Sequence, residues 1–552
     1  MLQIKPKANE LKQGEWWRGA VIYQIYPRSM KDTNGDGIGD LPGIIEKLDY
    51  IADLGVDAIW ISPIFKSPMK DFGYDISDYR EIDPMFGTLD DFDRLVSKAH
   101  NLGLSVIIDQ VLSHTSDQHQ WFQQSRESKN NEKSDWYVWS DAKADGSQPN
   151  NWLSIFGGPA WQWEPRRQQY YLHNFLTSQP DLNFHNPEVR QASLDNIEFW
   201  LKRGVDGFRL DAINFCFHDA QLRDNPAKPS DKRAGRGFTE DNPYAFQYHY
   251  YNNTQPENIP FIKQIRALLD RYPGSVALGE ISSEDSLATM AEYTEGDDRL
   301  HMGYSFELLT EDFSAKYIRE TVEVLEQKMS EAWPCWAISN HDVKRVASRW
   351  NSHESCSEKS KLFTALLCCL RGSVCSYQGE ELGLTEAELD YSDLQDPYGI
   401  AFWPKFKGRD GCRTPMPWKA GDNGSGFTDG KPWLPIPEHH SERAVELQLV
   451  KSDSVLNSFK NFLAWRKNMP VLITGEIKFI ESNEPVIAFH RYDKSNRFAL
   501  FFNLSNEKQT LQISDDLDQS ETFEHGLVTG KIEGNRMELP PYAFFIAKCR
   551  ED

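Results

Sequence analysis

Short apolar runs alternate with stretches whose apolar residues recur at helical spacing. Residues 20–27 ("AVIYQIYP") read as a strand, and 41–55 ("LPGIIEKLDYIADLG") as a helix closed by glycine. Residues 56–63 ("VDAIWISP") are a second strand, "LDDFDRLVSKAHNLG" a second helix, and 104–114 ("LSVIIDQVLSH") a third strand. That βαβαβ rhythm predicts a parallel sheet with helices packed outside it. The rhythm breaks over 115–183, which is rich in Trp, Gln, Ser, Asn and Gly without a clean period and is expected to form an inserted subdomain.

The alternation resumes with a helix near 187–203 and a strand in "GVDGFRLDAINF" (204–215). Further strands are expected near 275–280, 301–306, 334–339 and 372–377. Eight strands is the number of a (β/α)₈ barrel, so the fold class is α/β. An irregular insertion (about 379–440) follows the eighth strand, and a helix near 454–468 closes the barrel. Beyond about 472, segments such as "PVIAFHRY" and "RFALFFNLS" alternate as antiparallel strands do. The expected division is therefore 1–114 and 184–471 for the barrel, 115–183 for the inserted subdomain, and 472–552 for a C-terminal antiparallel β domain.

Composition narrows the class. The chain has 552 residues, 39% hydrophobic and 26% charged, as in a globular protein too long for one small core. Its net charge of −23 disfavours nucleic acid and anionic membranes as partners and suits a neutral substrate. Aromatics reach 12%, and Trp and Tyr can serve as platforms for sugar rings. The eight cysteines form no CxxC pair, which reads as reduced core thiols. With no apolar signal core and no run of membrane-spanning length, the expected location is cytoplasmic, as a monomer or homodimer.

In such a barrel, polar residues at strand C-termini face the active site. The third strand brings Asp109, with His114 just beyond. The fourth brings Arg209 and Asp211, the fifth Glu280, and the seventh Asn340, His341 and Asp342. Arg209 and Asp211 are two apart and so point to one side. Arg209 is expected to hold Asp211 ionised, while Glu280, without an evident arginine partner, keeps a raised pKa and donates a proton. A carboxylate pair with split pKa values is what glycoside hydrolysis needs.

"DQVLSH", "GFRLDAINF", "GEIS" and "SNHD" resemble the core signatures of glycoside hydrolase family 13, the α-amylase family. "QPDLN" (179–183), "WWRGAVIYQIYPRSMKDTNGDGIGDLPGI" and "GRDGCRTPMPW" resemble its α-glucosidase and oligo-1,6-glucosidase branch, above all the bacterial maltose-type enzymes. The resemblance implies Asp211 as nucleophile, Glu280 as general acid/base and Asp342 as transition-state stabiliser. It implies Asp71, Tyr74, His114, Arg209, His341 and Arg409 around the non-reducing glucose, with Tyr74 under the ring. Phe156 and Phe175 would add apolar walls. It also implies that Ala212, small and directly after the nucleophile, favours α-1,4 over α-1,6 linkages.

The glycine-rich loop "DTNGDGIGD" (32–40) alternates oxygen-bearing side chains, a pattern suited to a hard cation, Ca²⁺ or Mg²⁺. Its start is like an EF-hand loop, but the twelfth position is Gly43 rather than Glu. The resemblance implies a structural Ca²⁺ held by Asp32, Asn34, Asp36, Asp40 and the Ile38 carbonyl. The function expected is a retaining, exo-acting α-glucosidase on short α-1,4-glucosides such as maltose, with transglucosylation when the acceptor is not water. The alternatives are an oligo-1,6-glucosidase, or a sucrose- or trehalose-acting transferase or isomerase.

Overall fold

The computed structural model describes residues 15–233, 242–329, 332–350, 357–421, 424–513, 517–518 and 523–550. Eight parallel strands close into a barrel in chain order: β1 (Val21–Ile25), β2 (Ala58–Ile61), β3 (Ser105–Val111), β4 (Gly207–Asp211), β5 (Val276–Glu280), β6 (Met302–Ser305), β7 (Pro334–Ala337) and β8 (Ser373–Tyr377). Each falls within or against its expected window.

Strand alternation explains the chemistry-bearing positions. On β4, Phe208 and Leu210 join the large core between strands and helices, which leaves Arg209 and Asp211 turned into the barrel. On β3, Val106 and Ile108 face the helices and Ile107 lies inside, so Asp109 follows Ile107 inward. On β5, Val276 and Leu278 line the interior and Glu280 continues that row. Below these polar residues the barrel is filled by Ile22, Trp60, Met302, Tyr304 and Cys335, so it is a packed core rather than a channel.

Local signals set the helix starts. Asp40 caps the helix Leu41–Asp53 by accepting from Gly43 N–H at 2.7 Å. Thr88 and Asp91 form a capping box for Leu89–Asn101. Asn186 with Pro187 opens Pro187–Leu201.

Two of the expected strand ends are turns instead. β3 stops at Val111, and His114 lies beyond it, bridged antiparallel to Asp181 of the "QPDLN" segment. β7 stops at Ala337, and the Asn340 side chain closes the next turn by accepting from the N–H groups of Asp342 (2.8 Å) and Val343 (3.1 Å). Within 115–183 lie the helix Gln120–Ser125 and a three-stranded sheet of Trp139–Ser140, Gln169–Leu172 and Trp161–Glu164.

At the C-terminal end, a five-stranded antiparallel sheet runs in the order Glu476–Phe479, Val486–Tyr492, Arg497–Asn503, Phe544–Cys549, Leu517–Asp518. Buried Arg491 joins it to the barrel by donating to the carbonyls of Cys369, Leu370, Leu472, Gly475 and Glu476. The seven described cysteines are free and buried. No described helix is long and apolar enough to cross a membrane.

Candidate active site

Arg209 is the centre of the polar layer at the strand C-termini. Its Nη1 donates to Asp109 Oδ1 (2.9 Å) and Asp211 Oδ1 (2.6 Å), and its Nη2 pairs with Glu280 Oε1. The expectation that Glu280 lacks an arginine partner is corrected: closure of β4 against β5 puts Glu280 on the same guanidinium as Asp211. Arg209 is 1% exposed, which keeps these pairs out of bulk water.

Glu280 has a second anchor. Its Oε2 accepts from the backbone N–H of Ala212 at 2.9 Å. Ala212 has a left-handed backbone (φ 40°, ψ 45°). Next to Glu280, a Cβ on Gly279 would lie 2.4 Å from Leu300 Cδ1, so the strand carries glycine there.

Three carboxylates around one guanidinium compete for its charge. Burial pushes Glu280 up to about 8, against the pull of Arg209. Burial also pushes Asp211 up, to about 7, with Arg209 opposing. Arg209 is expected to hold Asp211 ionised, and against that guanidinium the structure sets burial, which raises the carboxyl. Burial thus raises both carboxyl groups against the same guanidinium.

Asp342 sits in the opposite field. Burial alone would raise it, but the hydrogen bond from the His341 ring and the Arg409 and Arg413 cations outweigh burial and hold its carboxyl well below the usual range. Asp342 Oδ1 accepts from Arg413 Nη2 (2.9 Å) and Arg409 Nη1 (3.2 Å). Burial pulls His341 down to about 3, so the ring is neutral. Its Nδ1 faces Gln24 Nε2 at 2.7 Å, which assigns the proton to Nε2, shared between Tyr74 Oη (2.6 Å) and Asp342 Oδ2 (3.2 Å). The Tyr74 hydroxyl then donates to Asp109 Oδ2 at 3.0 Å.

These groups border a cavity of 540 Å³, within the usual range for small-ligand pockets. Asp71, Tyr74, His114, Phe156, Phe175, Asp211, Ala212, Glu280, Asp342 and Arg409 all line it. Arg209 and His341 stand behind this wall and orient the groups that line it. Arg409 is held in the lining by two carboxylates: its Nη2 donates to Asp71 Oδ1 (2.9 Å) and Asp396 Oδ1 (2.8 Å). Burial would raise Asp396, but Arg409 outweighs it and the group falls to about 2. His114 is neutral, pulled by burial to about 4, and its Nε2 faces the Tyr74 carbonyl at 3.1 Å.

Several participants carried no separate sequence signal. Gln179 donates to Asp71 Oδ2 at 3.1 Å, Asp396 anchors Arg409, and Arg413 braces Asp342. Gln179 and Arg413 lie inside the quoted segments "QPDLN" and "GRDGCRTPMPW", whereas Asp396 lies in neither. The cavity lining also includes Tyr244, His249, Asn253, Glu284, Phe306 and Glu307.

The loop of 32–40 is separate from this cavity. Its side chains turn onto its own backbone: Asp32 Oδ1 accepts from Asn34 N–H (2.9 Å), Asn34 Oδ1 from Asp36 N–H (2.9 Å), and Asp36 Oδ1 from Ile38 N–H (2.8 Å). Asp32 Oδ2 accepts from Gly37 N–H, and Asp40 Oδ2 from Thr33 N–H. The donor set is all oxygen, which suits a hard cation. Among the described residues, no three His, Cys, Asp or Glu side chains gather as a metal cluster.

Residues 24–475 match the family described as alpha amylase, catalytic domain. The chain is 54% identical over 541 residues to a probable alpha-glucosidase of Rhizobium meliloti, covering 97% of both chains. It is 37% identical to an oligo-1,6-glucosidase of Heyndrickxia coagulans, over 91% of this chain and 94% of that one. The solved structure of an alpha-glucosyl transfer enzyme, XgtA, superposes with a TM-score of 0.95 at 64% identity, covering 97% of this chain and 99% of the other.

Proposed function

The chain belongs to the alpha-amylase family, and on that premise we propose that it is a retaining, exo-acting α-glucosidase that releases α-glucose from short α-1,4-linked glucosides such as maltose. The observation that carries this is the bonding of Asp211 and Glu280 to one guanidinium at the C-terminal ends of adjacent barrel strands. Two carboxyl groups on one guanidinium are held close, as suits the separation of about 5 Å that goes with a covalent intermediate and retention. Asp211 attacks the anomeric carbon while Glu280 gives its proton to the glycosidic oxygen. The anomeric carbon–oxygen bond breaks, and the neutral acceptor sugar departs. Glu280, now ionised, takes a proton from the incoming water, whose oxygen displaces Asp211 and releases glucose with its α configuration.

Asp342, held ionised by its arginines, stabilises the positive charge that develops on the ring carbon and oxygen. Tyr74 lies against the apolar face of the glucose. The bonds of Arg409 to Asp71, Asp396 and Asp342 support exo action, because a rigid polar cluster beside the reacting groups suits the hydroxyls of one terminal glucose.

Transglucosylation has support of its own in the similarity to the alpha-glucosyl transfer enzyme. It needs only that a sugar hydroxyl replace water in the second step. A product profile over maltose, isomaltose, sucrose, trehalose and maltotriose tests the reading. Glucose from maltose, first appearing as the α anomer, is expected. Release of the β anomer, or activity confined to isomaltose, would refute it.

Two further readings belong here. Seven buried free thiols support a reducing, cytoplasmic location. The oxygen-only donor set of Asp32, Asn34, Asp36, Asp40 and the Ile38 carbonyl supports a structural Ca²⁺, with Mg²⁺ as the alternative, away from the reacting atoms.

A further inference from the structure

Four buried side chains connect two segments that are far apart in sequence. Asp181 Oδ2 accepts from both the backbone N–H and the Nδ2 of Asn174, each at 2.8 Å. The Asn174 amide nitrogen therefore faces Asp181, and its Oδ1 is left to accept from Asn252 Nδ2 at 2.9 Å. That fixes Asn252 as well. Its Oδ1 accepts from Asn225 Nδ2 at 2.9 Å and faces His249 Nδ1 at 3.1 Å. Asn225 cannot turn over, because its own Oδ1 accepts from Tyr251 N–H at 3.0 Å. Each amide thus has one orientation only, set by a carboxylate at one end and a backbone N–H at the other.

Both segments reach the lining of the cavity. Phe175 follows Asn174 and lines it, packed on His114 with ring centres 5.0 Å apart. Asn253 follows Asn252 and lines it too, as does His249, which stacks on Tyr244 at 3.6 Å. Asn252 is fully buried and bonds to both segments.

We infer that Asn252 is a positioning residue that holds the acceptor-side wall, His249 and Asn253, in register with the glucose-side wall carried by Asn174 and Phe175. The inference rests on the α-glucosidase reading and deepens it, by assigning recognition of the leaving sugar to a residue remote from the bond that breaks. Removing the Asn252 side chain leaves the Asp181–Asn174 bonds and the glucose wall intact. It frees the loop that faces the acceptor sugar. A substrate with an acceptor sugar feels this change, and one without does not.

The test compares wild type, Asn252→Ala and Asn252→Asp, as full chains, on maltose and on α-glucosyl fluoride, whose leaving group is a single atom. Asn252→Asp keeps the size and the acceptor oxygen toward Asn225 but cannot donate to Asn174. For Asn252→Ala we expect KM for maltose to rise about tenfold, the loss expected for one buried neutral hydrogen bond, with kcat/KM for the fluoride changed less than about twofold. Asn252→Asp should show the same split. Parallel losses on both substrates, no loss on either, or failure of both variants to fold would each overturn the inference and leave Asn252 with a structural role only. A wild type that hydrolyses the fluoride but no disaccharide would refute the functional reading and this inference with it. A split in the variants can arise only if the reading holds.

Discussion

The backbone N–H of Ala212 donates to Glu280 Oε2 at 2.9 Å. Residue 212 therefore reaches Glu280 through its backbone. Its left-handed conformation (φ 40°) turns the N–H back toward β5 directly after Asp211. The proposed acid/base is thus oriented by the residue adjacent to the proposed nucleophile, so the two carboxyl groups move as one unit.

Replacing Ala212 tests this contact and the expected linkage preference. Ala212→Val should raise the ratio of kcat/KM on isomaltose to that on maltose by roughly tenfold, as expected for one or two methyl groups in a pocket. A β-branched residue in a left-handed conformation also costs about 1–2 kcal/mol and disturbs the bond to Glu280, so turnover should fall on both sugars. Ala212→Gly adopts the same backbone freely and should keep its maltose activity. An unmoved ratio in the valine variant would remove the side chain as linkage selector. Full turnover by that variant would remove the backbone argument.

Asp211→Asn tests the nucleophile. The amide keeps the shape and one hydrogen bond to Arg209 but cannot form the glycosyl ester. Activity should fall at least about 10³-fold, roughly 4 kcal/mol of barrier, with melting near that of wild type. A purified variant retaining a tenth of wild-type kcat would show that another group attacks.

The pH profile follows from the two raised carboxyl groups. The proposed mechanism needs Asp211 ionised and Glu280 protonated. Activity is therefore lost as pH falls through about 7, where Asp211 takes up its proton, and as pH rises through about 8, where Glu280 loses its own. The substrate is neutral and adds no limb. A narrow bell in kcat/KM on maltose is expected. Glu280→Gln, assayed on an aryl α-glucoside with a good leaving group, should lose the alkaline limb. Persistence of that limb would assign it to another group.

Periodicity alone located the barrel strands, because apolar residues on alternate positions must face either the helices or the interior. Phe208 and Leu210 point one way, so Arg209 and Asp211 point the other. Contacts made by closure were not legible. That β4 and β5 share one guanidinium depends on the register Leu278 to Arg209, which no local pattern encodes. Nor does local pattern encode that burial would lift Asp211 despite Arg209. Asp396 and Arg413 come from the irregular segment after β8, whose path is set by packing. Asn252 lies in a loop whose amides carry meaning only through distant partners, Asn174 of the inserted subdomain and Asn225.

The loop of 32–40 is tested by metal removal. Chelator followed by added Ca²⁺ should lower and then restore the melting temperature of wild type, because a cation bound only by the folded chain stabilises it. Asp32→Ala with Asp36→Ala should melt lower and no longer respond to Ca²⁺. Turnover at low temperature should be kept, since the loop lies apart from the cavity. Wild-type melting that ignores both chelator and Ca²⁺ would remove the metal.

Arg491 provides the last test. Its guanidinium is fully buried and donates to five backbone carbonyls, at 2.6–3.2 Å. Two of these, on Cys369 and Leu370, are carbonyls at the C-terminal end of the helix Ser357–Cys369, which lack partners within the helix and favour a cation. Burial lowers the Arg491 pKa to about 9, so it remains charged at neutral pH. Arg491→Met would leave these carbonyls buried without donors, at a cost of about 1–3 kcal/mol for each that finds no water. Arg491→Lys keeps the charge but has a single nitrogen, which cannot span carbonyls on both the barrel and the C-terminal sheet. Melting temperatures should fall in the order wild type, Arg491→Lys, Arg491→Met. kcat on maltose at low temperature should stay near the wild-type value, because no atom of Arg491 reaches the cavity. Equal melting of all three proteins would show that the C-terminal sheet is held to the barrel by its apolar contacts alone.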